Sequence, residues 1–280
     1  MTGEVSKMSS GPAAPHAVWV EEHPVFDFAR QVMAVAEAEM RKLRHDNLEL
    51  LSRTVQPVVW LVVFGKVFSK LREVPTGGIP YLDFMAPGIL AQSVLFVAVF
   101  FGVTLIWERD LGILQKFLVS PASRLALVLG KAISAGIRAV PQAAAIYVLA
   151  LLMGVHLWYH PLAIAATLVF IGLGAAMFST MSLIVACLAK SRQRFLGVNQ
   201  ILIMPLFFGS NAIYPLQMMP PWLQYISKMN PLTYLVDGLR SVMLYQVHST
   251  YGVLNDALLL CILLAILLAV ATKLYPRVIC

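Results

Sequence analysis

Charged side chains are scarce in this sequence. Asp, Glu, Lys and Arg make up 12% of its 280 residues, against about 25% in soluble domains, while apolar residues fill 59%. So little charge excludes an ordinary soluble globular domain and predicts an integral membrane protein. The charges that remain give a net charge of +7, which beside this apolar content predicts contact with a lipid surface. We expect no nucleic-acid partner.

Cysteines and catalytic motifs are also few. Cys187, Cys261 and Cys280 are odd in number and the first two lie in apolar runs, which excludes a secreted disulfide scaffold and predicts buried apolar filler. The chain has no GxxxxGK[ST] phosphate loop, no GxSxG elbow and no HExxH helix. His156 and His160 have no neighbouring carboxylate or cysteine and predict an interfacial turn. We expect no catalytic residue, bound cofactor or metal site.

Long uncharged runs predict an all-α protein. A helix needs about 20 apolar residues to cross a bilayer, and about six runs approach that length. The 51 positions from Ala139 to Ala189 carry no charge and are broken at Gly154–Pro161, so they predict two spans. The predicted spans are Thr54–Leu71, the run between Asp83 and Glu108, a third from about Ala132, a fourth ending near Ala189, Phe195–Tyr214 and Leu254–Lys273. Such apolar blocks do not alternate, which excludes a β-barrel.

The distribution of basic residues predicts the orientation. Of the 21 Lys and Arg residues, 15 fall on the side that holds both termini, five fall on the other side, and Arg138 lies within the third span. Positive charge favours the cytoplasmic side, so we expect a plasma-membrane protein with both termini in the cytoplasm. For Arg138 two interpretations stay open, a functional charge inside the span or a side chain that reaches the inner headgroups.

The first 50 residues predict a tail and an interface helix. Residues 1–23 are rich in Ser, Gly, Pro and Ala and lack the apolar core of a signal peptide, which predicts a disordered cytoplasmic tail. In residues 24–50 apolar side chains recur at helical spacing beside a charged face, which predicts an amphipathic helix on the inner membrane surface. A helix that packs on a soluble partner is the alternative. The apolar face includes Phe28, Val32, Met40 and Leu43. Residues 51–280 form the predicted six-span domain.

Two connecting segments carry unusual patterns. Glu108–Arg124, which reads ERDLGILQKFLVSPASR, places an apolar face beside charges and predicts a short docking helix rather than a plain hairpin. The segment before the last span is too apolar for an outer loop and is broken by five Pro and Gly residues, which predicts helices that enter the outer leaflet and return. Helices that only cap the spans remain the alternative. Asp237 and Arg240 stand three apart there, so we expect them to form an ion pair.

This order of parts resembles the permease subunit of type-2 ATP-binding-cassette (ABC) exporters, the group of daunorubicin-resistance, nodulation-factor and polysaccharide-export permeases. The resemblance covers about Val25 to Tyr275. It is carried by EAEMRKLRHD at the end of the interface helix, by ERDLGILQKFLVSPASR, and by PLQMMPPWLQYISKMNPLTYLVDGLR before the last span.

The resemblance implies a half-transporter that pairs with a second copy of itself and with two copies of a separate ATPase, which would hold ATP and Mg. Membrane lipids would be the other partners. Glu108–Ser120 would be the coupling helix on the ATPase, and Pro220–Val242 the outer re-entrant helices. The coupling residues would be Glu108, Arg109, Asp110, Leu111, Gly112, Leu114, Phe117, Leu118, Ser120 and Pro121. The outer gate residues would be Pro220, Trp222, Asn230, Pro231, Tyr234, Asp237 and Arg240.

Four functions compete at this stage. The first is an ATP-driven exporter of an amphiphilic drug or lipid, and the second an exporter of a polysaccharide or lipid-linked glycan. The third is a membrane scaffold or assembly factor that moves nothing. A secondary transporter is the fourth, and the scarcity of acidic residues in the spans counts against it.

The predicted topology is testable by thiol labelling. Single cysteines at positions 75–78 should react with a membrane-impermeant reagent added outside the cell, because that loop faces outward. Cysteines at positions 191–194 should react only when the reagent reaches the inside. The opposite pattern would overturn the orientation.

Overall fold

The computed structural model describes residues 24–43, 55–68, 76, 78–112, 123–189, 191–245 and 247–275. Among them the regular secondary structure is helical, apart from one β-bridge between Leu157 and Leu244, which confirms the all-helical prediction for this part of the chain. The predicted tail, residues 1–23, lies outside the described residues. The helices are α1 (Pro24–Leu43), α2 (Val55–Val67), α3 (Tyr81–Asp110), α4 (Arg124–Leu152), α5 (Pro161–Leu188), α6 (Arg192–Phe208), α7 (Pro221–Met229), α8 (Pro231–Met243) and α9 (Val253–Leu274).

Four of these helices, α3, α4, α5 and α9, are long and apolar enough to cross a membrane. Helix α2, which contains a π-helical turn at Trp60–Phe64, is shorter. Helix α6 has 17 residues and ends at Phe208, six residues before the predicted end of its span, because the chain turns there at Gly209. The chain reaches the predicted six spans only if α2 and α6 also cross the membrane.

Capping residues set the helix ends more closely than apolar runs do. Helix α4 begins eight residues before the predicted Ala132, because the Ser123 hydroxyl accepts a hydrogen bond from the Ala126 amide. Pro161 starts α5 behind a cap in which His160 Nδ1 accepts from the Leu162 amide. The predicted break at Gly154–Pro161 is confirmed, since residues 153–160 separate α4 from α5.

Helix α3 is the central element, and it is buried along nearly its whole length by α4, α5 and α8. Small residues allow close approach of neighbouring segments, as is common in membrane helices. Gly88 lies against the backbone of Ala212, and Gly102 lies against Ser182 and Phe195. Cys187 is buried as expected, whereas Cys261 is exposed on α9, so the prediction of buried cysteines is wrong for that residue.

Helix α1 packs along α4. Val32 and Ala36 are buried there, and Gly130 of α4 lies directly against Val35. Phe28 and Met40 of the predicted apolar face are half-buried, while the side chain of Leu43 lies outside the described residues. The face predicted from spacing is thus the face that covers another helix of the same chain.

Two glycines offer a matched test of this packing. A methyl group on Gly88 would lie well inside van der Waals contact with the Ala212 backbone, whereas nothing stands within 4 Å of the same position on Gly172. Both Gly→Ala changes gain about 1 kcal/mol of helix propensity. In thermal unfolding of the detergent-solubilised protein, Gly88→Ala should lower the midpoint and Gly172→Ala should leave it unchanged or raise it. Equal effects would contradict the close approach.

Candidate functional site

A buried lysine joins three helices at one end of the bundle. Lys131 of α4 is 3% exposed, and its Nζ lies 2.9 Å from Glu39 Oε1 of α1 and 2.7 Å from Glu108 Oε2 of α3. Both carboxylates are buried as well. Ion pairs shielded from water in this way hold their partners in a fixed geometry, because a single unpaired charge there is costly.

Arg138 completes this group. It follows Lys131 on α4 by seven residues, which is about two helical turns. Its Nη2 donates to the Glu39 carbonyl at 2.9 Å and to Glu39 Oε2 at 3.2 Å, and its guanidinium lies 5.1 Å from the ring centre of Phe101. We call Glu39, Glu108, Lys131 and Arg138 the α1 charge cluster. Its two acids balance its two bases. The charge of Arg138 is therefore paired within the protein, and its depth relative to the lipid headgroups stays a prediction.

The predicted coupling loop leaves the bundle beside this cluster. Glu108 lies in the last turn of α3 with its carboxylate turned into the bundle. The helix ends at Asp110 and is followed by Leu111 and by Gly112, which has a φ of 68°. Leu111 is exposed. The remaining predicted coupling residues lie outside the described residues, and their docking role stays a prediction. They are Leu114, Phe117, Leu118, Ser120 and Pro121.

Both ends of that loop are held by neighbouring segments. At its start, Arg109 Nη1 donates to the Ala189 carbonyl at 3.0 Å, and Arg109 Nε lies 3.2 Å from Asp110 Oδ1. At its finish, the Ser123 amide donates to Gln31 Oε1 of α1 at 3.0 Å. The described residues on either side of the loop, Arg109 and Ser123, are therefore both held by hydrogen bonds, and α1 holds the second of them.

At the opposite end of the bundle, α7 and α8 form the broken segment that the prolines predict. Asn230 separates the two helices: its Oδ1 accepts from the Leu232 amide at 3.0 Å and its Nδ2 donates to the Leu206 carbonyl at 2.6 Å. Pro231 stands in the first turn of α8. Helix α8 is buried against α3, α5 and α9, whereas α7 exposes Trp222. The position of these helices relative to a membrane stays a prediction.

The remaining gate residues lie around this break. Pro220 precedes the first residue of α7, and the Tyr234 hydroxyl of α8 donates to the Lys228 carbonyl at 2.6 Å. Burial raises the pKa of the nearby Tyr251 hydroxyl, and the phenol of Tyr234 and the carboxylates of Asp237 and Asp256 act in the same direction. That hydroxyl therefore stays protonated at neutral pH.

The predicted ion pair between Asp237 and Arg240 is wrong. The Asp237 carboxylate turns to the segment before α9, where it accepts from Thr250 N at 2.7 Å, Ser249 Oγ at 2.9 Å, Thr250 Oγ1 at 3.1 Å and Tyr251 N at 3.3 Å. Arg240 instead donates to the carbonyls of Phe84 and Asn211. Three-residue spacing permits a pair, but these tertiary partners compete for both side chains.

The sequence resembles known transport proteins along most of its length. The profile of the ABC-2 type transporter family matches residues 30–244, which include the α1 charge cluster and helices α3 to α8. This chain belongs to the ABC-2 type transporter family. The resemblance inferred from the sequence is thus confirmed, and with it the general function of a transport permease.

Individual relatives of this ABC-2 permease agree. A putative transport permease, ycf38, of Cyanophora paradoxa is 30% identical over 228 residues, which are 81% of this chain and 77% of that protein. The daunorubicin resistance ABC transporter permease protein DrrB1 of Streptomyces coeruleorubidus is 27% identical over 240 residues, 84% of this chain and 82% of its own. Nodulation protein J of Rhizobium leguminosarum bv. trifolii is 27% identical over 230 residues, with coverage of 81% and 86%.

One feature of the sequence of this ABC-2 permease indicates the charge cluster, namely the position of Glu39 within the interface helix. Glu39 follows Val32 by seven residues and therefore lies on the apolar face of α1 rather than on its charged face. An acidic residue on such a face predicts a buried cationic partner. The contact of Asp83 was not predicted either: its carboxylate, in the first turn of α3, lies 2.9 Å from Nδ1 of His156 in the connection between α4 and α5.

Removing the central cation of the cluster should destabilise the permease. Lys131→Met removes the cation that two buried carboxylates bind, so we expect the free energy of unfolding in detergent to fall by about 3–5 kcal/mol. Arg41→Met, which removes a fully exposed pair with Glu37, should leave the free energy of unfolding nearly unchanged.

A double variant separates charge from packing. Lys131→Met with Glu108→Gln removes both charges of the Lys131–Glu108 pair and keeps the pair between Glu39 and Arg138, so it should be more stable than Lys131→Met alone. If the free energy of unfolding of the double variant falls by the sum of the losses in Lys131→Met and Glu108→Gln, the two charges do not interact.

Proposed function

We propose that this chain is the permease subunit of an ATP-driven exporter that moves an amphiphilic drug-like or lipid-like substrate out across the plasma membrane. The observation that carries the proposal is the match to the ABC-2 family over residues 30–244. The sequence has no phosphate loop, so ATP and Mg would be bound by a separate ABC ATPase subunit. A relative named for daunorubicin resistance supports an amphiphilic substrate.

The working complex in this proposal contains two permeases and two ATPases. Helix α9 has exposed apolar side chains along its length, such as Leu258, Ile262, Ile266 and Val270, which require lipid or a second copy of the chain as neighbours. Helices α2 and α6 would be the two remaining spans. At about 1.5 Å per residue α6 is a few ångströms short of the hydrocarbon thickness, which local bilayer thinning accommodates at modest cost.

The α1 charge cluster supports a route for coupling. The loop at residues 113–122 would dock on the ATPase. Its first end lies shortly after Glu108, which binds Lys131, and its second end is held by the hydrogen bond between Ser123 and Gln31 of α1. Since Lys131 ties α1, α3 and α4 together, a push on the loop would move these three helices as one body. That motion would reach α8 along the length of α3, which packs against it.

The proposal is tested on the loop itself. Leu114→Asp with Phe117→Asp places two charges on the predicted docking face and should lower the amount of ATPase that co-purifies with the permease at least about tenfold, a loss of about 1.4 kcal/mol or more. Tyr159→Asp with Leu254→Asp adds the same charge at exposed positions of the opposite end and should leave co-purification unchanged. Equal recovery of the ATPase with both double variants would refute the docking role.

A further inference from the structure

Arg240 is a buried cation without an acidic partner. Its side chain is 6% exposed, and none of the described carboxylates approaches it within the 4.0 Å of an ion pair. Its Nε and Nη2 donate to the Phe84 carbonyl at 3.3 and 3.2 Å, Nη2 donates to the Asn211 carbonyl at 2.9 Å, and the guanidinium lies 3.8 Å from the Phe84 ring centre. These neutral groups orient the cation. The Asp237 carboxylate attracts it only from beyond ion-pair distance, and a buried charge held in this way favours an anion beside it.

The same arginine lines a cavity of about 560 Å³ between α3, α8 and the segments that flank α7 and α9. Its third guanidinium nitrogen, Nη1, forms no hydrogen bond with the part of the chain that the structure describes. Lys228 and His248 line the cavity too. A volume of this size accepts the headgroup of a phospholipid rather than a single ion.

One carboxylate also lines the cavity, but its hydrogen-bonding capacity is already used. Asp237 accepts four hydrogen bonds from the segment 249–251 and forms no ion pair with Arg240. Asn211 adds a different feature, since its Oδ1 is buried and has no partner among the residues that the structure describes. A rotation of this side chain would turn the oxygen toward the cavity, where a hydroxyl group of a ligand would satisfy it. The cavity thus combines two permanent cations, one occupied carboxylate and one free acceptor.

We propose that this cavity binds a phosphate group that carries hydroxyl donors, as in the headgroup of an anionic glycerol phospholipid. A guanidinium is planar and weakly hydrated, which suits phosphate oxygens, and Lys228 supplies a second positive charge at the rim. The segment 211–219 also borders an apolar cavity of about 370 Å³, lined by residues such as Tyr81, Ile213, Met219 and Leu223, which fits part of an acyl chain. Binding needs no ATPase, so it stands apart from the proposed function.

The test measures binding to the purified full chain in detergent. Dihexanoyl phosphatidylglycerol should raise the thermal unfolding midpoint in a saturable way, whereas dihexanoyl phosphatidylcholine, whose headgroup has no net charge, should not. Inorganic phosphate is the third probe. If phosphate competes with the lipid, the phosphate group alone is sufficient for binding. If it does not, the glycerol and acyl groups contribute to binding. Both results agree with binding of the lipid in this cavity.

Three variants locate the binding. Lys228→Gln should weaken phosphatidylglycerol binding about tenfold, the loss expected for one charge-assisted hydrogen bond. Arg240→Gln should abolish binding. Arg240 also joins three segments, so its variant could fail to fold. In that case the variant of the exposed Lys228 decides the test. Arg194→Gln, an exposed change on α6 at the other end of the bundle, should bind as the wild type does. Equal stabilisation by the two lipids, or equal losses in Lys228→Gln and Arg194→Gln, would overturn the proposal.

Discussion

The ammonium group of Lys131, held between the carboxylates of Glu39 and Glu108, is the constraint on which one end of this protein depends. Three helices meet at this one nitrogen, and each would expose a buried charge if it moved alone. Arg138 binds the same Glu39 and extends the constraint along α4. The interface helix is therefore part of the bundle, and it is bound to the points from which residues 113–122 leave and return.

The opposite end is built on a different principle. There the charged side chains of α8 turn away from one another: Asp237 organises the segment that starts α9, and Arg240 joins the first turn of α3 to the chain after α6. Neutral carbonyls and an aromatic ring hold Arg240, which leaves room for an external anion. One end is thus closed by balanced charge, and the other leaves a cavity with excess positive charge.

Much of this architecture follows from local features of the sequence. Apolar runs predicted the four long helices, and Gly and Pro predicted the Gly154–Pro161 break and the break at Pro231, because hydrophobic length and proline geometry act locally. The predicted break at Gly238 is wrong, since that residue lies within the continuous helix α8. The partners of Arg138, Asp237 and Arg240 could not be predicted in this way. Glu39 lies 99 residues from Arg138, and Phe84 lies 156 residues from Arg240, so only the tertiary fold brings them together. Local spacing suggested the Asp237–Arg240 pair, and long-range partners prevailed.

The central claim is that this ABC-2 chain moves an amphiphile at the expense of ATP hydrolysed by a separate subunit. The most direct measurement reconstitutes the chain with its ABC ATPase in liposomes and follows a fluorescent amphiphile across the bilayer while ATP turnover is recorded. We expect movement that requires ATP and both proteins, together with turnover that rises when the amphiphile is present. A stable complex that hydrolyses ATP at a rate no amphiphile or lipid-linked sugar changes, and that moves none of them, would contradict the claim and favour a scaffold.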